Sequence, residues 1–141
     1  MKTIIDTITA AGNYKTLLAV LKTASFMDTL RTPGPYTLFA PTDEAFARLT
    51  PAQLKALLKD VRRLKTIVTY HVVSGTLAAQ NITPGELRSV EGSYLTVDVQ
   101  AGHVLLNGAR VVQQNIAASN GLIHAIDTLL VPKNVKLAAV A

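Results

Sequence analysis

Apolar residues recur at helical spacing through the first half of the chain and alternate like strand residues through the second. Ile4, Ile5 and Ile8 define one helical stripe over residues 3–11, closed by Gly12-Asn13. Leu17, Leu18 and Leu21 define a second over 14–24, with Lys15 and Lys22 off the apolar face. Phe26, Met27 and Leu30 carry the core onward as a short helical turn. Thr32-Pro33-Gly34-Pro35 makes a loop, since two prolines and a glycine support no regular structure. Next comes the stretch around which the chain is expected to pack. Residues 36–40 have strand chemistry and Pro41 stops them. Thr42-Asp43-Glu44 then opens a helix whose first apolar residues are Ala45 and Phe46 and which ends near Leu49.

Thr50-Pro51-Ala52-Gln53 has the form of a capping box. The Thr50 hydroxyl accepts from the backbone three residues on, Gln53 reaches back, and Pro51 occupies the first helical position, where no donor is needed. Leu54, Leu57, Leu58, Val61, Leu64, Ile67 and Val68 then follow helical spacing, with Lys55, Lys59, Arg62 and Arg63 on the opposite face. Asp60, a favourable N-cap, offers a point at which this run divides in two.

Tyr70-His71-Val72-Val73 has strand composition and Ser74-Gly75 turns it. Further strands are expected over 87–90, 94–99, 103–106, 110–113 and 122–131. Their turns fall at Thr83-Pro84-Gly85, Glu91-Gly92-Ser93, Ala101-Gly102 and Asn107-Gly108. Asn-Gly suits a tight hairpin because both residues tolerate positive φ. Residues 94–99 alternate clearly, so one of their faces is expected to be wet. Pro132 ends the last strand, and the tail 133–141 carries no cap or turn signal. Helices in the first half and antiparallel strands in the second predict an α+β fold. Without an internal repeat or a low-complexity stretch, the reading is one domain over 1–141 with its core at about 3–132.

Composition adds bounds to this picture. With 49% hydrophobic and 16% charged residues the chain can build a core and does not match a disordered composition. No apolar run approaches the roughly 18 residues of a membrane span. The absence of cysteine excludes disulfides, thiolate metal sites and a cysteine nucleophile. The first six residues are not a secretory signal, because Asp6 interrupts a short apolar stretch. Either the chain is cytoplasmic or it follows a removed signal. A net charge of +5 and a pI of about 9.7 permit affinity for acidic polysaccharide, anionic lipid or nucleic acid. The Lys55, Lys59, Arg62, Arg63 stripe is the strongest electrostatic feature. It reads either as a solvated helix face or as a contact for an acidic partner.

Candidate chemistry is sparse. His71, His103 and His124 all fall in expected strands, and none has the spacing of a helical metal pair. Ser119, His124 and Asp127 name the right residue types for a hydrolytic triad, but no nucleophile elbow supports them, and strand residues three apart face opposite ways. No glycine-rich phosphate loop of standard spacing is present. Asp43 and Glu44 open a helix, where carboxylates favour the dipole. His71 and His124 sit in apolar settings. Each reads either as a buried histidine with a backbone hydrogen bond or as part of a partner-binding surface.

Three blocks carry a family resemblance. Residues 36–46 (Tyr-Thr-Leu-Phe-Ala-Pro-Thr-Asp-Glu-Ala-Phe) resemble the first signature block of the fasciclin domain. Residues 120–132 (Asn-Gly-Leu-Ile-His-Ala-Ile-Asp-Thr-Leu-Leu-Val-Pro) resemble the second, and Tyr70-His71-Val72-Val73 resembles the motif between them. The three occur in family order over about residues 3–132. The resemblance implies a wedge-shaped β-sandwich flanked by several short helices, in a compact form of prokaryotic type. It implies Thr42, Asp43, Asn120, Gly121, His124 and Asp127 as structural signature positions. It also implies a non-enzymatic, cofactor-free adhesion or interaction module, extracellular, periplasmic or at the cell surface, monomeric or weakly oligomeric. Its partner would be a protein or polysaccharide, with no nucleic acid expected. In animal relatives an Asp-Ile pair and the Tyr-His motif are implicated in integrin binding. The pair aligns with Asn115-Ile116, where the charge is missing. Binding is therefore expected near Tyr70-His71, Asn115-Ile116 and the basic helix face. The alternative is a small-molecule-binding or stress-related protein with a cavity between sheet and helices.

Overall fold

The computed structural model describes residues 3–31, 35–78, 82, 84–90, 92, 94–100, 103–107 and 109–130. The expected loop at 32–34, the turn residues Thr83, Glu91, Ser93, Ala101, Gly102 and Gly108, and the segment from Val131 through the tail lie outside them. Helices α1 (Ile4–Ala11) and α2 (Lys15–Thr23) precede a short 3-10 turn at Thr29–Arg31. Strand β1 (Tyr36–Pro41) runs directly into α3 (Asp43–Ala47). Then come α4 (Pro51–Lys59), α5 (Val61–Tyr70) and β2 (Val72–Ser74). The remaining strands are β3 (Gly85–Arg88), β4 (Tyr94–Gln100), β5 (His103–Leu106), β6 (Ala109–Ala118) and β7 (Gly121–Ile126).

Local signals decide most boundaries. Thr3 caps α1 by accepting from the Asp6 amide, and Gly12 closes it in the left-handed region at φ 83°. Thr42 caps α3. The Thr50–Gln53 box is formed in both directions, at 3.0 and 3.1 Å. Asp60 divides the long helical run, its carboxylate accepting from the Arg63 amide at 3.1 Å. Helix α3 stops at Ala47, two residues short of the expected end.

The seven strands form an α+β fold in the order β2-β1-β7-β6-β5-β4-β3. β6 belongs to two halves: Ala109 and Arg110 pair with β5, and the stretch from Val111 pairs with β7. Between Val111 and Ile116 its register slips twice against β7, so β6 carries extra residues there and bends. One core cluster lies between the helices and the β1–β7 region and includes Ile4, Leu21, Leu38, Leu64, Ile67 and Ile123. A second gathers Phe39, Tyr70 and Ile126 from the first half with Leu95, Val97 and Leu106 from the other, so the halves close on each other like a wedge.

Several elements depart from the sequence pattern. β1 and β7 are parallel, Phe39 opposite His124, although the expected strands were antiparallel. Parallel neighbours need a long crossover, and here everything between residues 42 and 120 supplies it. Tyr70 ends α5 rather than opening a strand, and His71 is the helix C-cap. The last strand closes at Ile126 instead of running on, because Asp127 turns back and both donates to and accepts from the Arg110 backbone. β6 extends well past Gln113, and β3 begins at Gly85 and ends at Arg88. Val61, assigned to the apolar stripe, is 49% exposed, because the break at Asp60 rotates α5 out of the register of α4.

Candidate functional site

The signature residues converge on the seam between β1 and β7. Tyr36 donates its amide to the Asn120 carbonyl at 2.9 Å, which starts the parallel pairing. The Asn120 side chain accepts from Ile4 at the start of α1 and donates to the Leu30 carbonyl, so one buried carboxamide ties three segments far apart in sequence. A Cβ on Gly121 would lie 1.8 Å from the Tyr36 carbonyl oxygen, so only glycine permits this approach. At the other end of the seam the Thr42 amide donates to the Ile126 carbonyl at 3.2 Å. Asp43 reaches elsewhere: its carboxylate accepts from the Thr16 amide and its own amide donates to Asn13, so it pins the α1–α2 connection. Asp127 accepts from the Arg110 amide and forms an ion pair with Arg48 at 3.6 Å.

Both buried histidines are fully committed. The His71 Nδ1 donates to the Ile67 carbonyl at 2.7 Å, satisfying a carbonyl in the last turn of α5, while its Nε2 accepts from the Leu130 amide at 3.0 Å. These partners require the neutral ring, and burial holds its pKa down to about 4. The His124 Nε2 donates to the Leu77 carbonyl and its Nδ1 accepts from the Asn115 amide. Its ring stacks on Phe39 at 5.7 Å between centroids, and burial lowers its pKa as well. His124 thus fills the gap left by the slipped register of β6. With both nitrogens bonded to backbone groups and Asp127 engaged with Arg110, Thr128 and Arg48, the Ser119, His124, Asp127 set has no triad geometry.

The expected binding residues separate into two groups. Tyr70 and His71 are 2% and 3% exposed, which corrects the expectation that they present a surface. The Tyr70 hydroxyl donates to the Tyr94 carbonyl at 2.9 Å and accepts from the Asn107 amide group at 2.7 Å, tying the end of α5 to β4 and the β5–β6 turn. Asn115 is exposed at φ 58° on the bent part of β6, and Ile116 beside it is half-buried against the helical core. Lys55, Lys59 and Arg62 are exposed, whereas Arg63 is half-buried and paired with Asp60 at 3.7 Å.

Two residues with structural roles escaped the sequence reading. Buried Thr37 donates to the Gly75 carbonyl and accepts from the Leu77 amide, fastening the loop after β2. Asn107 accepts from Thr96 and supports Tyr70; the Asn-Gly pair signalled its turn but not this contact. Apolar space bordered by Leu17, Leu38, Ile67 and His71 amounts to about 10 Å³. That is room for about one water molecule. An open groove of about 400 Å³ runs past Asn13, Thr42, Asp43, Glu44, Val112 and Asp127.

The family model described as the Fasciclin domain matches residues 12–132. The chain belongs to the fasciclin domain family. Protein sll1483 of Synechocystis is 42% identical over 127 residues, 87% of this chain and 71% of the relative. The cell surface glycolipoprotein MPB83 of Mycobacterium bovis is 32% identical over 136 residues, 90% of this chain and 61% of the relative. The chain therefore spans about three fifths of that mycobacterial protein. Among solved structures, a FAS1 domain pair from the insect cell adhesion molecule Fasciclin I superposes with a TM-score of 0.81 at 20% identity. The match covers 94% of this chain and 51% of the pair. The fasciclin fold thus accounts for the wedge of two sheet halves and the helices laid against one of them. No described helix is long and apolar enough to cross a membrane.

Proposed function

We propose that this fasciclin domain is a non-enzymatic adhesion or interaction module working at a cell surface or in an extracellular matrix. The observation that carries this reading is the likeness, over 90% of the chain, to a mycobacterial cell surface glycolipoprotein. The chemistry of the interior agrees with it. His71, His124, Thr42, Asp43 and Asp127 all bond to backbone or to neighbouring side chains, so each has a structural use. Contact with a partner falls to the exposed Asn115 on β6, with the half-buried Ile116 beside it, and to the exposed Lys55, Lys59, Arg62 and Lys65 of α4 and α5. Tyr70 and His71 act from below, by fixing the ends of α5, β4 and the segment after β7. The small-molecule alternative needs a cavity between sheet and helices; the apolar space bordered by Leu17, Leu38, Ile67 and His71 has room for about one water, and the groove of about 400 Å³ past Asn13 and Asp127 is open.

Fractionation of cells that make the natural gene product tests the reading. The product is expected in the surface or extracellular fraction, and beads coated with the purified chain are expected to attach to those cells. A product confined to the cytoplasm, with coated beads that attach no better than bare ones, overturns it.

A further inference from the structure

We infer that α4 and α5 together form a docking strip for a linear acidic polysaccharide, with Lys55, Lys59, Arg62 and Lys65 as its contact residues. Charge distribution is the first ground. Residues 51–70 hold Lys55, Lys59, Arg62, Arg63 and Lys65 against the single carboxylate Asp60, a net of +4 out of the +5 of the whole chain. The remaining residues hold nine basic and eight acidic side chains, so they are nearly balanced. The basic excess is therefore local, and the pI reflects one pair of helices.

The second ground is that, among the described residues, no ion pair engages these charges. Asp60 is spent within the junction, capping the Arg63 amide and pairing with the Arg63 side chain. Lys55, Lys59, Arg62 and Lys65 are all exposed, and no ion pair reaches them among the described residues. Lys55 and Lys59 stand four apart on α4, and Arg62 and Lys65 three apart on α5. Like charges at these spacings destabilise a helix by roughly 0.2–0.5 kcal/mol per pair. The strip thus persists at a small cost to the helices that carry it.

The third ground selects the partner. Neighbours within each helix are about 5–6 Å apart at their Cβ atoms. Lys59 and Arg62, three residues apart across the junction, have Cα atoms within about 11 Å. The four cations therefore lie within residues 55–65 on two consecutive helices, close enough along the chain for a flexible polymer with a negative charge on most sugars to meet them together. A membrane fits less well. The apolar face of α5 (Leu64, Ile67 and Val68) is buried in the core, and Leu54 and Leu58 of α4 are half-buried against it, so among the described residues of the pair Val61 is the exposed large apolar side chain that could enter a bilayer. Nucleic acid fits less well too, because the strip carries no exposed aromatic side chain on which a base could stack.

The inference deepens the adhesion reading and rests on it for its biological sense, but its test is a binding measurement independent of where the protein resides. The probe is heparin, compared with DNA of similar length and with phosphatidylserine vesicles, at 0.15 M salt. The variant Lys55→Gln, Lys59→Gln, Arg62→Gln, Lys65→Gln is expected to weaken heparin binding at least tenfold. A second variant, Lys15→Gln, Lys22→Gln, Arg31→Gln, Arg88→Gln, lowers the net charge equally and is expected to weaken it less than threefold. All eight positions are exposed, so both variants are expected to fold, and circular dichroism verifies this. Three results overturn the inference: equal losses in the two variants, binding to DNA or vesicles at least as tight as to heparin, and no heparin binding by the unaltered chain. If heparin binding fails while coated beads still attach to cells, the adhesion reading stands and only the strip is rejected.

Discussion

The β1–β7 seam and the α4–α5 pair use polar residues in opposite ways. At the seam, Asn120, His124 and Thr42 are buried; the first two side chains bond to backbone from distant parts of the chain, and the Thr42 hydroxyl accepts from the Ala45 amide. On the helices, Lys55, Lys59, Arg62 and Lys65 are exposed and enter no ion pair among the described residues. A buried polar group left without a partner costs about 1–3 kcal/mol, so the seam residues are constrained by their neighbours. An exposed ion pair is worth only about 0–1 kcal/mol, so the fold constrains the strip little and leaves it free to answer to a partner. A residue that looks chemically capable is thus more informative once its burial is known. The Tyr-His motif, read from sequence as a contact, belongs with the seam.

The contrast can be broken most severely at Gly121. Gly121→Ala drives a Cβ into the Tyr36 carbonyl, at 1.8 Å before any adjustment, and the parallel pair must separate. A loss of about 4 kcal/mol or more is expected, read as an early urea midpoint or as failure to fold. A midpoint close to that of the unaltered chain would show that the seam yields easily and that the contrast is overstated.

Acid acts on the buried histidines with the next largest effect. The folded pKa of His71 lies at about 4, below the usual 6.5, so the folded chain resists a proton that the unfolded chain accepts. The resulting stabilisation is complete above pH 6.5 and is lost as pH falls toward 4. Its full size is on the order of 3 kcal/mol. Urea titrations at pH 7 and pH 4.5 are expected to show this loss, with His124 adding in the same direction. His71→Phe is expected to be less stable at pH 7 and to show a smaller drop between the two pH values. An undiminished drop in that variant would assign the acid sensitivity to other groups.

Smaller effects come from the helices. Thr50→Ala removes one arm of the capping box and is expected to lower stability by about 1 kcal/mol. Least of all, the quadruple glutamine variant of the strip is expected to leave the urea midpoint unchanged or slightly raised, by less than about 0.5 kcal/mol. A clear loss of stability in that variant would place the strip among the structural residues and remove the contrast.

Much of the local structure was legible in the residues themselves. The Thr42, Thr50 and Asp60 caps, the Gly12 stop and the alternation along β4 are written within a few positions of where they act. Short-range hydrogen bonds and side-chain periodicity decide them, and both can be read along a chain. The α+β class and the family resemblance follow from the same kind of signal. The features that could not be read along the chain have partners remote in sequence. The parallel pairing of β1 with β7 joins residues more than eighty positions apart. Tyr70 and His71 have the composition of a strand, yet helix α5 extends through Tyr70 because packing against two core clusters outweighs a local preference. The doubly slipped β6 depends on the His124 ring, which spacing alone does not place. Burial, finally, is a property of the assembled chain. It turned two expected contact residues into internal ties and left the basic row on α4 and α5 exposed.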